Sequence, residues 1–102
     1  MDTEMINDKV SQGIMLISAE KYDAAKLLLE DIIAEAPRTM EAYIHLGNAC
    51  ANLGKYDEAI ESFKKALLVD PNYAEAYFSI GSIYVLMNEK VKAVEFYNNC
   101  LL

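Results

Sequence analysis

The amino-acid sequence predicts an all-α fold built from repeated helix hairpins, and two observations lead to this prediction. A shift of 34 residues brings the sequence into register with itself at glycines and prolines, namely Gly13, Gly47 and Gly81, and Pro37 and Pro71. Apolar residues within each copy recur with the spacing of one helical face, and no stretch alternates with the period of two that a strand requires. Self-similarity at a period of this length is typical of stacked helical repeats.

The same offset defines the predicted domain organisation. We expect a single domain, residues 1–102, with repeats at 6–39, 40–73 and 74–102. The third repeat is cut short at Leu102, and the sequence offers no capping helix after it. Each repeat is long enough for two helices joined by a short turn.

The first helix of each repeat is clearest in the middle copy, residues 40–54. Apolar or small side chains fall on one helical face there, at Tyr43, Leu46, Gly47, Cys50 and Ala51. Gly54 follows and is predicted to end this helix in the left-handed conformation, which glycine adopts without strain. Asn88 is predicted to do the same in the third repeat.

The second helix of the middle repeat is predicted from Tyr56 to about Asp70. Its apolar side carries Ala59, Phe63, Ala66 and Leu67, and its opposite side carries Glu61 and Lys65 at a spacing that allows an ion pair. Pro71 ends this helix. Asn72, followed three residues later by Glu75, predicts a capping box for the next helix.

These residues together resemble the tetratricopeptide repeat, a family with a period of 34 residues. The middle repeat resembles the family most closely, at Tyr43, Leu46, Gly47, Ala59, Phe63, Ala66 and Pro71. The third repeat matches at Tyr77, Ile80, Gly81, Tyr84, Ala93 and Tyr97. The first keeps Gly13, Leu16, Ala25, Leu29 and Pro37, but it has Lys9 and Gln12 where the family has large apolar residues.

The resemblance implies a right-handed α-α superhelix, a solenoid of three antiparallel helix hairpins. Small residues such as Gly47 and Ala59 let the two helices of a hairpin approach closely, while large residues such as Phe63 fill the remaining space. One hairpin cannot cover its own apolar face, so the hairpins are expected to stack. The resemblance also implies that the first helix of each repeat lines a concave side.

The groove positions of the family, carried onto this chain, predict a binding site for a protein or peptide. The predicted site residues are Val10, Ile14, Ile17, Glu41, Ile44, His45, Asn48, Asn52, Glu75, Phe78, Ser82 and Val85. Ile44 and Phe78 are predicted to anchor partner side chains, and Asn48 and Asn52 to bond to a partner's backbone. The alternative is that part of this apolar face packs against a neighbouring helix.

One known subset of the family holds the acidic C-terminal tails of chaperones in a clamp of Lys, Asn and Arg side chains. The matching positions here are Val10, Ile14, His45, Glu75 and Ser79. None is Lys or Arg, and Glu75 has the wrong sign for a carboxylate ligand. The resemblance therefore does not extend to that specificity, and an apolar or amphipathic ligand with basic flanks is expected instead.

Composition excludes several other classes of function. Nine Lys and Arg against sixteen Asp and Glu give a net charge of −7, which opposes binding to nucleic acid. No apolar run is long enough to cross a membrane, and the polar N-terminus is unlike a signal peptide. Two widely spaced cysteines suit a reducing compartment, so we expect a cytoplasmic protein.

The sequence offers little for catalysis, and we expect neither an enzyme nor a cofactor or metal site. His45 is the single histidine, and Cys50 and Cys100 are not close enough in sequence to form a typical metal-binding pair. Both cysteines are predicted to be inert buried thiols. Cys50 and His45 share one side of a helix, but no third group or oxyanion hole accompanies them.

The last hairpin suggests a second hypothesis. Val94 and Leu101 occupy the positions at which Ile60 and Leu67 would meet a following repeat. The sequence thus predicts two alternatives to groove binding: a building block that self-associates through this end as a homo-oligomer, or a fragment of a longer repeat protein.

Overall fold

The structure, a computed structural model, describes residues 2–100 as six helices in three antiparallel hairpins. The helices are α1 (Thr3–Ser18), α2 (Tyr22–Glu35), α3 (Met40–Asn52), α4 (Tyr56–Val69), α5 (Ala74–Leu86) and α6 (Lys90–Cys100). This part of the chain contains no strand. The prediction of an all-α solenoid of three hairpins is confirmed.

Each hairpin is held together by a small residue on one helix and a large one on the other. Gly47 on α3 faces the buried ring of Phe63 on α4, and Gly81 on α5 faces Tyr97 on α6. In the first hairpin, Gly13 faces the shorter side chain of Leu29. The close approach lets the alanines at the repeated positions 25, 59 and 93 become buried between the helices.

The hairpins stack so that each new hairpin covers the apolar face of the one before it. Helix α3 packs against both α1 and α2, and α5 packs against α4. One continuous core results, and it runs from Val10 in α1 to Ala93 in α6. The first helices of the first two hairpins, α1 and α3, also contact each other.

The turn inside each hairpin has one geometry, repeated three times. The residue after the helix cap has a positive φ of 60° at Glu20, 76° at Gly54 and 60° at Asn88. The amide of Gly54 donates to the Ala51 carbonyl, and the next amide, that of Lys55, donates to the carbonyl of Cys50. This pair of bonds is a Schellman motif. The predicted left-handed positions at Gly54 and Asn88 are confirmed, and Glu20 is a third.

Tyrosines connect successive hairpins. The Tyr43 hydroxyl donates to the Pro37 carbonyl over 2.7 Å, and the Tyr77 hydroxyl donates to the Pro71 carbonyl over 2.8 Å. Each bond ties the start of a first helix to the end of the preceding second helix. The two proline carbonyls lie in the turns after α2 and α4, outside any helix, so these bonds satisfy backbone acceptors that have no helical partner.

The predicted capping box at the start of α5 is wrong. The residue that caps α5 is Tyr73, and its side chain makes no capping hydrogen bond. The Asn72 amide instead donates to a carboxylate oxygen of Asp70, and the Glu75 carboxylate accepts from the Tyr73 hydroxyl. Asp70 thus supports the turn, and Glu75 is directed toward Tyr73 rather than toward the helix end. Among residues 2–100, no helix is long and apolar enough to cross a membrane.

Candidate functional site

The surface formed by the exposed sides of α1, α3 and α5 is called the candidate groove below. Of the twelve residues predicted to line it, most keep at least part of their side chain accessible. The exposed ones are Ile14, Glu41, Asn52, Glu75, Phe78 and Val85, and the half-buried ones are Ile17, His45, Asn48 and Ser82.

Val10 and Ile44 correct the prediction, because both are buried and offer almost no surface to a ligand. Ile44 is only 6% exposed and belongs to the core, so the predicted role as an anchor does not fit its position. Phe78 occupies the same repeat position and is 58% exposed. The difference in exposure between Ile44 and Phe78 follows from stacking. Another hairpin packs on the second hairpin, which carries Ile44, whereas within the described residues none packs on the third, which carries Phe78.

The accessible apolar surface of the groove is concentrated on α5. Phe78, Val85 and Leu86 are all exposed, and their spacing places them along one side of the helix. The Phe78 ring lies 5.6 Å from the ring of Tyr97, centroid to centroid, and is tilted by 43°. That contact holds one face of Phe78 while the rest of the ring remains accessible.

The polar centre of the groove is partly occupied by bonds within the protein. The Asn52 side-chain amide donates to the Asn48 carbonyl over 2.8 Å. The Ser82 hydroxyl lies 3.1 Å from the Tyr97 hydroxyl, within hydrogen-bonding distance. Asn52 keeps its side-chain oxygen and one amide hydrogen for a ligand, because the bond to Asn48 uses one donor.

Acidic residues gather at one edge of the groove around His45. Burial lowers the pKa of His45, and the carboxylates of Glu41 and Glu75 oppose that shift. The hydrogen bond to Glu75 raises the pKa of Tyr73, and burial and the same two carboxylates add to the increase. Two carboxylates on different hairpins therefore act on one small region beside the apolar strip of α5.

The outer face of the last hairpin is also open. Val94 is 56% exposed, whereas Ile60 at the same position in the second hairpin, which packs against α5 through α4, is 6% exposed. Leu101, which the sequence predicts to share this face, lies outside the described residues.

The cysteines are unsuited to nucleophilic chemistry. Cys50 is buried, and this burial raises the pKa of its thiol, which disfavours the reactive thiolate. Cys100 is half-buried rather than buried, and its thiol donates to the Ala74 carbonyl. No group of three or more His, Cys, Asp or Glu in residues 2–100 is arranged to hold a metal ion.

Sequence reasoning missed a cleft between α2 and α4, on the side away from the candidate groove. It has a volume of about 330 Å³, and Cys50 and Tyr43 contribute to its lining. The Lys26 ammonium lies 3.5 Å from the Glu58 carboxylate across this cleft. The charges of this pair neutralise each other within the protein. No spacing in the sequence signalled the pair, because its members lie on different hairpins.

Comparisons with known proteins agree with the geometry. A family model for the TPR repeat matches residues 47–88. The structure is similar to MamA MSR-1, with a TM-score of 0.87 and 32% identity, over 93% of this chain and 55% of that one. It is also similar to a mutant form of MamA, with a TM-score of 0.86 and 30% identity, over 93% of this chain and 69% of that one.

A third similar structure is the Yersinia enterocolitica type III secretion translocator chaperone SycD, with a TM-score of 0.94. The identity is 16%, over 97% of this chain and 75% of that one, so this similarity concerns the fold alone. The chain spans little more than half the length of MamA MSR-1. Comparison with curated proteins gave no significant match.

Proposed function

Because this chain belongs to the tetratricopeptide repeat family, we propose that it is a non-enzymatic protein-binding module that holds a peptide or helical segment of a partner in the candidate groove. One observation carries the proposal. Leu86 is exposed at a repeat position where Ser18 and Asn52 also stay exposed although another hairpin follows them. The exposed Phe78 and Val85 extend this surface into an apolar strip on α5, beside polar groups that can orient a ligand. Exposed apolar surface with polar neighbours is typical of interaction sites.

The electrostatics of the groove define the kind of segment that it accepts. Glu41 and Glu75 create a negative edge, and no ion pair between described residues neutralises either carboxylate. A segment with apolar side chains for the α5 strip and a basic residue near this edge is complementary to both features. An acidic tail of the kind held by a carboxylate clamp would be repelled.

A test begins with peptides selected from a random displayed library against the folded chain. Affinity is then measured by fluorescence anisotropy for the wild type and for Phe78→Asp. We expect Phe78→Asp to weaken binding at least about tenfold, because a carboxylate replaces a central apolar contact. The matched control is Leu68→Asp, the same kind of change at an exposed apolar residue of α4.

The outcome depends on the difference between these two variants. Circular dichroism should show wild-type helicity for both variants, and the melting temperature of Phe78→Asp should fall only by the small amount due to its lost contact with the Tyr97 ring. Equal effects of Phe78→Asp and Leu68→Asp would place the peptide elsewhere. Selected peptides rich in Asp and Glu would contradict the electrostatic part of the proposal.

A second candidate function is self-association through the outer face of the third hairpin. The exposure of Val94, where Ile60 is buried, favours it. For either function we propose a reducing compartment such as the cytoplasm, because Cys50 and Cys100 are both free thiols in the structure.

A further inference from the structure

Helix α6 presents an apolar stripe to solvent. Val91 is 76% exposed and Val94 is 56% exposed. The other side of α6, with Ala93, Phe96 and Tyr97, packs into the core. The two valines are three residues apart, so they lie on adjacent turns of the same outward side.

A further hairpin stacked like the others would not explain Val91. The residue at this repeat position is Asp23 in the first hairpin and Asp57 in the second. Both aspartates remain exposed although another hairpin follows each of them. A valine at a position that stacking leaves in water therefore indicates a different contact.

The residues that flank the stripe complete a coiled-coil pattern. With Val91 at position a and Val94 at position d, Lys90 falls at g and Glu95 at e. In a parallel helix pair, the g residue of one helix lies beside the e residue five positions later on the other. In such a pair, Lys90 of the first copy lies beside Glu95 of the second, and Lys90 of the second lies beside Glu95 of the first. Neither is in an ion pair with another residue of the described chain.

We propose that two copies of this chain associate through α6, with the two α6 helices side by side and parallel. This inference rests on the second candidate function, self-association, and specifies its surface and orientation. Val91 and Val94 of each copy pack together around a two-fold axis, and the Lys90 ammonium of each copy pairs with the Glu95 carboxylate of the other. A two-fold axis makes one surface complementary to itself, as the pattern requires.

The opposite end of the solenoid argues against head-to-tail stacking. Ala42 and Ala76 are fully buried at a position that a preceding hairpin covers. Asp8 occupies the same position in α1 and is exposed. If the last hairpin of another copy stacked on α1, the Asp8 carboxylate would be buried, which is unfavourable without a partner charge. The assembly therefore closes as a dimer rather than extending as a filament.

The contact is short, so the dimer is weak. Helix α6 has 11 residues, which corresponds to a length of about 16 Å. An interface of this size falls in the class of transient associations. We expect a monomer at low micromolar concentration and a dimer at concentrations approaching millimolar.

Sedimentation velocity over that range of concentration tests the proposal. We expect Val91→Asp to raise the dissociation constant at least about tenfold, since it places two carboxylates in the apolar contact. Leu68→Asp is the matched control, because it makes the same change at an exposed apolar residue outside α6. The control variant should dimerise like the wild type, and both variants should keep the wild-type melting temperature.

Charge reversal tests the parallel orientation. Lys90→Glu or Glu95→Lys alone makes both ion pairs repulsive, so each should raise the dissociation constant about tenfold. The double variant restores opposite charges and should return the dissociation constant to within about threefold of the wild-type value. In an antiparallel pair Lys90 would approach Lys90 of the other copy, and Lys90→Glu would only exchange one repulsion for another.

Three results would overturn the proposal, and they are distinguishable. A monomer at every concentration would remove self-association altogether. A dimer insensitive to Val91→Asp would keep self-association but assign it to another surface. A dimer that is sensitive to Val91→Asp but unaffected by either charge reversal would exclude the parallel arrangement. Peptide binding in the candidate groove is measured separately and does not depend on these outcomes.

Discussion

Gly47 lies against the ring of Phe63 so closely that there is no room for a side chain. A Cβ atom built on Gly47 would lie 2.7 Å from two carbons of that ring. The same relation recurs at Gly81, where a Cβ would lie 2.8 Å from Tyr97. Gly13 is the milder case, because its Cβ would lie 3.0 Å from the terminal methyl group of Leu29. The size of the facing side chain therefore determines how strictly each repeat requires glycine.

Gly47→Ala is expected to destabilise the protein by about 2 kcal/mol. Alanine favours a helix by about 1 kcal/mol over glycine, but forcing a methyl group into a packed core costs more. The Phe63 ring is rigid and buried, so it cannot move aside. Urea unfolding followed by circular dichroism measures the change.

Gly13→Ala is the matched control for this prediction. The Leu29 side chain is flexible, and a small rotation can relieve the contact, so the change should be within about 1 kcal/mol of neutral. Phe63→Leu should also reduce the cost of Gly47→Ala, because the double variant approximates the pair found in the first hairpin. Equal losses for Gly13→Ala and Gly47→Ala would contradict this account.

Glu20→Gly is expected to stabilise the protein by about 0.5–1 kcal/mol. Glu20 adopts a φ of 60° in the turn between α1 and α2, where a side chain strains the backbone. Glycine removes this strain, which stabilises the folded state. Part of the stabilisation is offset because glycine gives the unfolded chain greater conformational entropy. Urea unfolding of Glu20→Gly and Glu20→Ala separates the backbone effect from loss of the charge.

Gly54→Ala provides the reverse experiment in the next hairpin. Gly54 has a φ of 76°, and a Cβ there would meet no atom within 4 Å. Any destabilisation, about 1 kcal/mol, would thus come from the backbone alone. A stabilising Gly54→Ala, or a Glu20→Gly no better than Glu20→Ala, would disagree with the strain assigned to this turn.

Tyr43→Phe is expected to cost about 1 kcal/mol of stability, and Tyr77→Phe less. Both changes remove a hydrogen bond to a proline carbonyl between hairpins. The bond from Tyr43 is part-buried, so the Pro37 carbonyl would lose its partner without free access to water. The bond from Tyr77 is exposed, and water can replace it. Melting temperatures of the two variants give the comparison, and a larger loss for Tyr77→Phe would contradict it.

Much of the fold could be predicted because equivalent positions of the three repeats can be compared within one sequence. Gly54 and Asn88 are recognisable as left-handed residues, since glycine and asparagine commonly adopt that conformation. Glu20 lies at the same offset of 34 residues, but glutamate carries no such signal. Its conformation is imposed by the hairpin turn rather than by its own preference. The period alone, applied without regard to residue type, would have found it.

The candidate groove could be predicted only in part, because accessibility depends on neighbouring hairpins. Ile44 and Phe78 share one repeat position, yet the first is buried and the second is exposed. A rule that assigns groove residues repeat by repeat cannot separate them. The Tyr73–Glu75 bond was missed for a related reason, since a capping role for Glu75 was equally compatible with the sequence.

Protonation of His45 is expected to destabilise the fold, so the free energy of unfolding should fall as the pH decreases. Burial lowers the His45 pKa in the folded state below its ordinary value, with Glu41 and Glu75 opposing the shift. The unfolded state therefore takes up the proton more readily, and stability should fall as pH decreases through about 6.5. His45→Gln removes this contribution, so the free energy of unfolding of the wild type relative to the variant should decline between about pH 7.5 and pH 5.5. Urea unfolding at each pH measures the difference, and NMR titration of the imidazole measures the pKa. A relative stability that rises toward acid would show that the two carboxylates outweigh burial.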